Sequence, residues 1–380
     1  MGKHALLSAS SSHRWLNCPP SARLGEKYED KGSSYAAEGT EAHTLCEYKL
    51  KTALGIRTKD PTISLTYYSE EMEECANGYA AYIMELVETA KQNCADPVVL
   101  IEQRLDFSKY VESGFGTGDC VIIADGTLNV IDFKMGAGVL IAADDNPQMK
   151  LYALGALELF DGIYDIDTVS MTIYQPRRDN ISTHTVFKES LYQWAAETLK
   201  PIAELAYDGE GEFRCGDWCQ FCKAKHDCRK RAEQNLELAK YEFKLPPLLE
   251  DDEIESILGK IDDLVSWASD IKDYALQSAL SGKHWTGWKL VEGRSNRRYT
   301  NDEAVADAVS AAGYDPYEHK VMGITAMEKA LGKVRFSELL SGLIEKPQGK
   351  PTLVPEGDKR PAIHTAKHDF NDYEEEISNG

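Results

Sequence analysis

Three charged side chains flank a predicted β-hairpin at positions from which they could bind a divalent cation. An Asp-Gly pair between two alternating apolar runs is a strong signal for a tight turn. In a hairpin centred on that turn, Asp119 faces Asp132, and Lys134 points to the same side as Asp132. Facing residues have Cβ atoms about 4.5–5.5 Å apart, so the two carboxylates would repel each other unless a cation lay between them. The turn is predicted at Asp125-Gly126 and the strands at 119–124 and 127–133.

This arrangement predicts metal-assisted chemistry on a phosphate group. Carboxylate oxygens suit hard cations such as Mg²⁺ or Mn²⁺, which polarise a phosphate and lower the pKa of a bound water. Lys134 would orient that water or stabilise the negative charge that develops during the reaction. The structural alternative is that Asp119 caps a strand while Asp132 and Lys134 form a surface ion pair. The face-to-face placement of the two carboxylates favours the metal site.

The rest of the sequence predicts an α/β fold around this hairpin. Apolar residues recur at helical spacing in some segments and alternate in others, and a proline suits the first turn of the helix that begins at Pro147. The predicted helices lie at 5–24 (a short loop and a helix), 34–54, 69–93, 147–160, 189–207 and 251–281; further strands lie at 98–105, 168–174 and 183–187, and a small hairpin at 285–299.

Nine cysteines are unevenly distributed along the chain. An odd number argues against a disulfide framework, and isolated cysteines are usually small buried hydrophobic residues. Four cysteines fall within fourteen residues, which is too compact for accidental core positions. One interpretation is a local structural zinc site, with His226 as a possible substitute ligand. The four clustered cysteines are Cys215, Cys219, Cys222 and Cys228.

The net charge of −21 argues against tight, non-specific binding to duplex DNA, because phosphate-binding surfaces are usually basic. Residues 1–230 contain 23 Lys and Arg against 35 Asp and Glu, and residues 231–380 contain 19 against 28, so neither part is basic. No apolar run approaches the roughly 18 residues that a membrane span needs, and the first residues are too polar for a secretory signal. We therefore expect a cytoplasmic protein without membrane contact.

Several separated motifs together resemble the RecB-like branch of the PD-(D/E)XK nucleases. This resemblance implies a restriction-endonuclease-like core, a central mixed β-sheet flanked by helices. It also implies a Q-x-x-x-Y helix behind the active site, on which Gln148 and Tyr152 share one face, and a histidine, His43, as an additional metal ligand. Glu47 and Glu102 are expected to support these ligands. The matching segments are GTGD (116–119), IDFK (131–134), QMKLY (148–152) and, upstream, GTEAHTLCE (39–47).

A subgroup of that branch, which includes the AddB nuclease domain and exonuclease V, suggests a second interpretation of the cysteines. The serine-rich lead into Cys18 and the later C-x₂-C-x₅-C spacing resemble this subgroup, in which four such cysteines hold a [4Fe–4S] cluster. The implied ligands here are Cys18, Cys219, Cys222 and Cys228, with Cys215 left over. Such a cluster would close a loop of about 200 residues and join the start of the core to its end.

The resemblance implies a metal-dependent DNA exonuclease that acts on single-stranded ends in phage or prophage replication and recombination. A recombinase or a single-strand-binding protein would be its partner. A strand that threads a narrow channel is compatible with an acidic exterior. The alternative function is a non-catalytic nucleic-acid-binding or scaffold protein with a structural metal. The predicted domains are a nuclease core at 1–232, a mainly helical extension at 233–341 and a poorly ordered tail at 342–380.

Overall fold

The computed structural model describes residues 5–29, 32–237, 251–292, 299–317, 321–345 and 354. These residues divide into two compact units, Met1–Val291 and Glu292–Gly380. Within the described ranges, every helix is too short or too polar to cross a lipid bilayer. The larger unit contains all five strands and most of the helices, and it carries every residue that the sequence assigns to a site.

A five-stranded mixed β-sheet forms the centre of the first unit, with the strands in the order in which they occur along the chain. Neighbouring strands run antiparallel except for the third and fourth, which are parallel. A parallel pair needs a crossover connection, and a helix supplies it between these two strands. The strands are β1 (Val98–Asp106), β2 (Phe115–Ala124), β3 (Thr127–Phe133), β4 (Thr168–Gln175) and β5 (Asn180–Phe187).

Helices precede the sheet, cross over it and follow it, so the predicted α/β class is confirmed. The helix predicted at 189–207 is interrupted by a π-helical segment at Ala195–Leu199, and the helix predicted near the N-terminus is two short helices. The helices of the first unit are α1 (Ser12–Asn17), α2 (Ser21–Gly25), α3 (Ser34–Ala53), α4 (Glu70–Asn93), α5 (Pro147–Phe160), α6 (Lys188–Trp194), α7 (Lys200–Asp208), α8 (Arg229–Leu236) and α9 (Asp251–Leu280).

The hydrophobic core is divided between the two faces of the sheet. Alternation along β2 places Val121 and Ile123 in the cluster that contains α5, whereas Cys120 and Ile122 belong to the cluster that contains α3 and α4. All four side chains are nearly or fully buried. The sheet therefore lies between two layers of helices, and its ends can receive side chains from both layers.

The first compact unit continues through α9 to Val291. Helix α9 belongs to the first unit because it packs against α8 and carries Asp270. That carboxylate accepts a hydrogen bond from the buried Arg231 guanidinium at 2.5 Å and pairs with Lys225 at 2.8 Å. Among its described residues, the second unit has three short α-helices, α10 (Asp302–Ala311), α11 (Ile324–Leu331) and α12 (Lys333–Leu340).

Two sequence predictions concern the C-terminal third. The hairpin predicted at 285–299 has no strand in its described part, 285–292 and 299, where turns and irregular backbone stand instead. Residues 293–298 of it lie outside the described residues. The predicted tail, 342–380, also lies outside them, apart from 342–345 and 354.

Because α5 packs closely on β1, a larger side chain at Gly155 should destabilise the fold. A Cβ atom there would stand 3.0 Å from the Leu105 Cβ and 3.2 Å from its carbonyl carbon. We expect Gly155→Val to lower the free energy of unfolding by about 1–3 kcal/mol, because backbone must move to make room. Urea denaturation measures the change. The matched control is Gly259→Ala in α9, where a Cβ meets nothing within 4 Å and should stabilise by up to about 1 kcal/mol. Unchanged stability in Gly155→Val would contradict this packing.

Candidate active site and metal centre

The hairpin of β2 and β3 has the predicted register. Its paired residues run from Ala124 and Thr127 at the turn to Cys120 and Ile131 at the open end. The ladder stops there, one position before Asp119, and the Asp119 side chain replaces the next backbone contact. Its Oδ2 accepts a hydrogen bond from the Phe133 N–H at 2.6 Å in a buried environment. Asp119 is thereby fixed at the point where the hairpin opens.

On its other side, Asp119 adjoins an irregularity in β1. The ladder between β1 and β2 pairs Ile101 with Cys120 and Gln103 with Gly118, and it omits the pair between them. The omitted residue of β1, Glu102, has a φ of 51°, in the left-handed region that non-glycine residues seldom adopt. Such backbone persists only where the surroundings hold it, and it is concentrated at functional sites. The deformation brings the Glu102 carboxylate towards Asp119.

A histidine from α3 completes a group of three ligand-type side chains. The His43 Nδ1 lies 3.0 Å from the Asp119 Oδ1. One ligand atom each of His43, Glu102 and Asp119 lies within 4.8 Å of the other two, and no other trio of His, Cys, Asp or Glu among the described residues meets that spacing. We call these three residues the metal trio. They come from α3, β1 and β2, so the tertiary fold assembles the group.

The remaining predicted residues form a chain of polar contacts beside the metal trio. The Lys134 ammonium lies 2.9 Å from the Asp132 Oδ2 and donates to the Gln148 Oε1 at 3.1 Å. The Gln148 amide nitrogen donates to the Asp132 Oδ1 and to the Tyr152 hydroxyl oxygen, each at 3.2 Å. Asn146 begins α5 by accepting bonds from the first backbone N–H groups of the helix. These contacts hold the Lys134 ammonium in one place.

The glycine of the GTGD segment leaves room for the tyrosine. A Cβ atom at Gly116 would stand 2.6 Å from the Tyr152 ring, so the ring lies directly against the backbone of β2. Burial, chiefly, and then the nearby Asp132 raise the pKa of the Tyr152 hydroxyl. The hydroxyl is therefore neutral at ordinary pH, and its role here is to accept the hydrogen bond from Gln148.

The electrostatics of the site favour an added positive charge. Burial, first, and then the neighbouring Asp119 raise the pKa of Glu102 to about 7. Burial also raises the pKa of Asp132, against the opposing effect of Lys134. For His43, burial lowers the pKa, but the attraction of Asp119 outweighs it and the net change is upward. Three carboxylates crowd one another here, and a divalent cation would relieve their repulsion.

The donor set of the metal trio fits a divalent cation with oxygen preference. Two carboxylates and one imidazole suit Mn²⁺ and, with water in the remaining positions, Mg²⁺. The buried Asp132 Oδ2 lies 2.9 Å from the Lys134 ammonium and has no other hydrogen-bond partner among the described residues, so it also retains an acceptor position. The structure thus brings all six predicted site residues into one region, with Asp132 on the lysine side of the site. Glu102, expected only as a supporting group, stands among the ligand-type residues, whereas Glu47 pairs with Lys51.

The cysteines divide between two adjacent cavities. Cys18 comes from the end of α1 and joins three later cysteines in the wall of a cavity whose volume is about 330 Å³, including space open to solvent. Cys215 lies in the wall of the neighbouring cavity, which it shares with Cys219. The later cysteines of the first cavity are Cys219, Cys222 and Cys228.

The two interpretations of this group differ in the sulfur spacing that they need. Tetrahedral zinc with Zn–S bonds of about 2.3 Å requires sulfurs about 3.8 Å apart. Among the described cysteines, no three sulfur atoms lie within 4.8 Å of one another. The Cys215 and Cys219 side chains are hydrogen-bonded to each other, so Cys215 adjoins the group that lines the first cavity. Burial, chiefly, and then Cys219 and Cys228 raise the pKa of Cys215 to about 12.

Comparison with known proteins adds a family and one solved structure. The family described as "Protein of unknown function (DUF2800)" matches residues 4–361, which is nearly the whole chain. A solved structure entitled "Crystal structure of SSO0001" is similar at 15% identity, over 51% of this chain and 98% of that chain. Its TM-score of 0.23 is too low to support any conclusion about fold or function.

The raised pKa of Glu102 predicts a pH-dependent stability of the metal-free protein. A carboxyl whose folded pKa exceeds its unfolded value disfavours the fold once it ionises, so this loss grows between pH 4.5 and 7 and persists above. We expect Glu102→Gln to stabilise the protein at pH 8 in chelator by about 1–2 kcal/mol. Added Mn²⁺ should make wild type more stable than Glu102→Gln, because wild type keeps the carboxylate ligand and gains more binding energy.

Thermal unfolding with chelator and with Mn²⁺ measures both effects. The matched control is Glu88→Gln, which removes a solvent-exposed ion pair with Lys91 on α4 and should change little. If Glu102→Gln destabilises the metal-free protein at pH 8, the crowding of carboxylates at this site is not the dominant effect.

Proposed function

The chain belongs to the DUF2800 family of proteins of unknown function, and we propose that it is a metal-dependent DNA nuclease with a PD-(D/E)XK type of core. One observation carries the proposal. The metal trio stands beside Lys134, whose ammonium is held by Asp132 and Gln148. A cation site with an adjacent, oriented lysine is suited to phosphodiester hydrolysis, because the cation can activate water and the lysine can stabilise developing charge.

The proposed division of labour follows from the contacts. His43, Glu102 and Asp119 would hold Mg²⁺ or Mn²⁺, with Asp132 as a further ligand from the lysine side. A divalent cation there supplies polarisation of the scissile phosphate and increased acidity of water.

The remaining groups act on water and on the developing charge. Lys134 orients the attacking water or stabilises the negative charge on the phosphate, while Gln148 and Tyr152 hold Lys134 in place. The water oxygen bonds to phosphorus and gives up a proton to solvent, the bond from phosphorus to the leaving oxygen breaks, and that oxygen takes up a proton from solvent.

For the substrate we propose single-stranded DNA or DNA ends, cleaved by an exonuclease in phage or prophage replication and recombination. The support is the charge of −21, which opposes broad contact with a duplex, together with the motif resemblance. A strand confined to the site would contact the cation and Lys134 and would make few contacts with the acidic exterior. A recombinase or single-strand-binding protein would supply such ends, in the cytoplasm of the host cell.

The proposal is tested by incubating the purified chain with end-labelled single- and double-stranded DNA in Mg²⁺ or Mn²⁺. We expect wild type to degrade the DNA, with a preference for the single strand. Lys134→Ala should lower kcat by about 10²–10³-fold, because it removes stabilisation of developing charge. Asp119→Ala should abolish cleavage through loss of the metal ligand and of the bond to Phe133.

Lys109→Ala is the matched control, since this exposed lysine pairs with Glu158 on the surface and lies outside the site. Equal activity in all variants would show that the residues named here do not perform the reaction. Complete inactivity of wild type with either metal would instead favour a non-catalytic nucleic-acid-binding or scaffold protein.

We also propose a [4Fe–4S] cluster in the cysteine-lined cavity, held by Cys18, Cys219, Cys222 and Cys228. The support is that these four thiols line one cavity, that Cys215 lines the neighbouring one, and that the cysteine spacing resembles the cluster-binding subgroup. A cluster bound by thiolates in this position would tie the first helices to the segment after α7.

A preparation made without oxygen tests the cluster. Wild type should be brown and contain close to four irons per chain, and Cys18→Ser should lose the colour and unfold at lower temperature. Cys215→Ser and the matched control Cys94→Ser should both remain brown. Colourless protein with one zinc per chain would reject the cluster in favour of the structural zinc site.

A further inference from the structure

One loop joins the two elements that carry the lysine and its partner. Residues 135–146, here called the site loop, begin directly after Lys134 and end with the residue that caps α5, two positions before Gln148. The Lys134–Gln148 hydrogen bond of 3.1 Å therefore closes a ring of which the site loop is the covalent part. The loop is thus the covalent link between the two partners, and the Lys134 N–H also donates to the Tyr174 carbonyl of β4 at 2.9 Å.

A single buried amide at the end of β4 holds the site loop. Gln175 is 1% exposed, and its Nε2 donates to the Gly136 carbonyl at 2.6 Å and to the Val139 carbonyl at 2.8 Å. Its Oε1 accepts from the Ile141 N–H at 3.1 Å. One side chain thus satisfies three backbone groups of a loop that has no strand partner. Only an amide of this length offers two donors and an acceptor together.

Alternate residues of β5 extend this contact along the loop. The Asn180 side chain donates to the Ile141 carbonyl at 2.8 Å, and the Ser182 hydroxyl accepts from the Ala143 N–H at 2.9 Å. Residues two apart in a strand share one face, so this edge strand presents a row of polar groups to the loop. The row continues with His184, which pairs with Asp144 at 2.9 Å.

These hydrogen bonds hold a loop whose tip adds little to stability through apolar burial. The tip of the site loop is exposed, and Val139 and Leu140 there are 46% and 41% exposed, so the loop buries little apolar surface at its tip. A long loop with little apolar burial is ordinarily mobile. Here a buried glutamine holds it through three backbone bonds, and breaking them would leave those groups unsatisfied. What the bonds secure is the geometry at the two ends of the loop.

We infer that Gln175 is a positioning residue for the reaction, acting through the site loop to hold Lys134 against Gln148. This inference rests on the proposed nuclease function. Within the part of the chain that the structure describes, the Gln175 hydrogen bonds reach neither the metal trio nor Asp132, and the trio comes from α3, β1 and β2. Loss of Gln175 should therefore affect the lysine and spare the metal.

The experiment compares kcat and Mn²⁺ affinity in the full-length protein. Gln175→Leu should lower kcat on a single-stranded oligonucleotide by about 10–100-fold, since displacement by about 1 Å has that cost, and leave Mn²⁺ affinity within about threefold. Asn180→Ala removes one bond to the same loop and should cause a smaller fall in kcat. The matched control is Thr172→Val, which removes a partly buried bond from β4 to Thr183 but none to the loop, and should leave kcat unchanged.

Each outcome decides one point. A folded Gln175→Leu with kcat within twofold of wild type, or with Mn²⁺ affinity lost in parallel with kcat, overturns the positioning role. If Gln175→Leu does not fold, Asn180→Ala decides: a reduced kcat supports the role and an unchanged kcat overturns it. Inactivity of wild type itself overturns the proposed function. Failure of the positioning role, in contrast, shows only in the variants, while wild type stays active.

Discussion

The carboxylate of Asp119 is the contact on which the candidate site depends. One oxygen accepts from the backbone of Phe133 in β3, and the other lies 3.0 Å from the His43 imidazole in α3. A single side chain therefore joins the opened hairpin to the helical layer on one face of the sheet. Because the ladder between β2 and β3 stops just before this residue, its carboxylate accepts the Phe133 N–H in place of a backbone carbonyl.

The same constraint produces the strain and the charge crowding of the site. Glu102 departs from strand geometry beside Asp119, and Asp132 is buried on the lysine side. Buried carboxylates in close proximity reduce stability unless a cation or a lysine compensates them. The Lys134 ammonium compensates Asp132, whereas within the metal trio the two carboxylates have the His43 imidazole, which compensates Asp119 only when it is protonated. Stability and metal binding are therefore opposed in this part of the chain.

The cysteine-lined cavity imposes a second constraint, because it joins the start of the first unit to the segment after α7. Cys18 meets cysteines two hundred residues later, and Tyr28 donates a hydrogen bond to Asp227 at 2.7 Å across the same long separation. Arg231 lines both cavities and pairs with Asp270 of α9. Helix α9 thus packs against α8, which directly follows the clustered cysteines, and this packing explains why α9 belongs to the first compact unit.

The sequence alone determined the hairpin, because Asp125-Gly126 between alternating apolar runs specifies both the turn and the register, and with it the positions of Asp119 and Asp132. Local periodicity likewise predicted the α/β class and the long helices α3, α4, α5 and α9, but not the interruption at Ala195–Leu199. It could not determine the place of Glu102, since nothing in a run of strand residues signals a left-handed backbone that only neighbouring elements can hold. Nor could it find Gln175, whose three partners lie more than thirty residues away and are backbone groups without any sequence signature. Tertiary structure decided these roles because contacts between distant segments depend on the packing of the whole sheet.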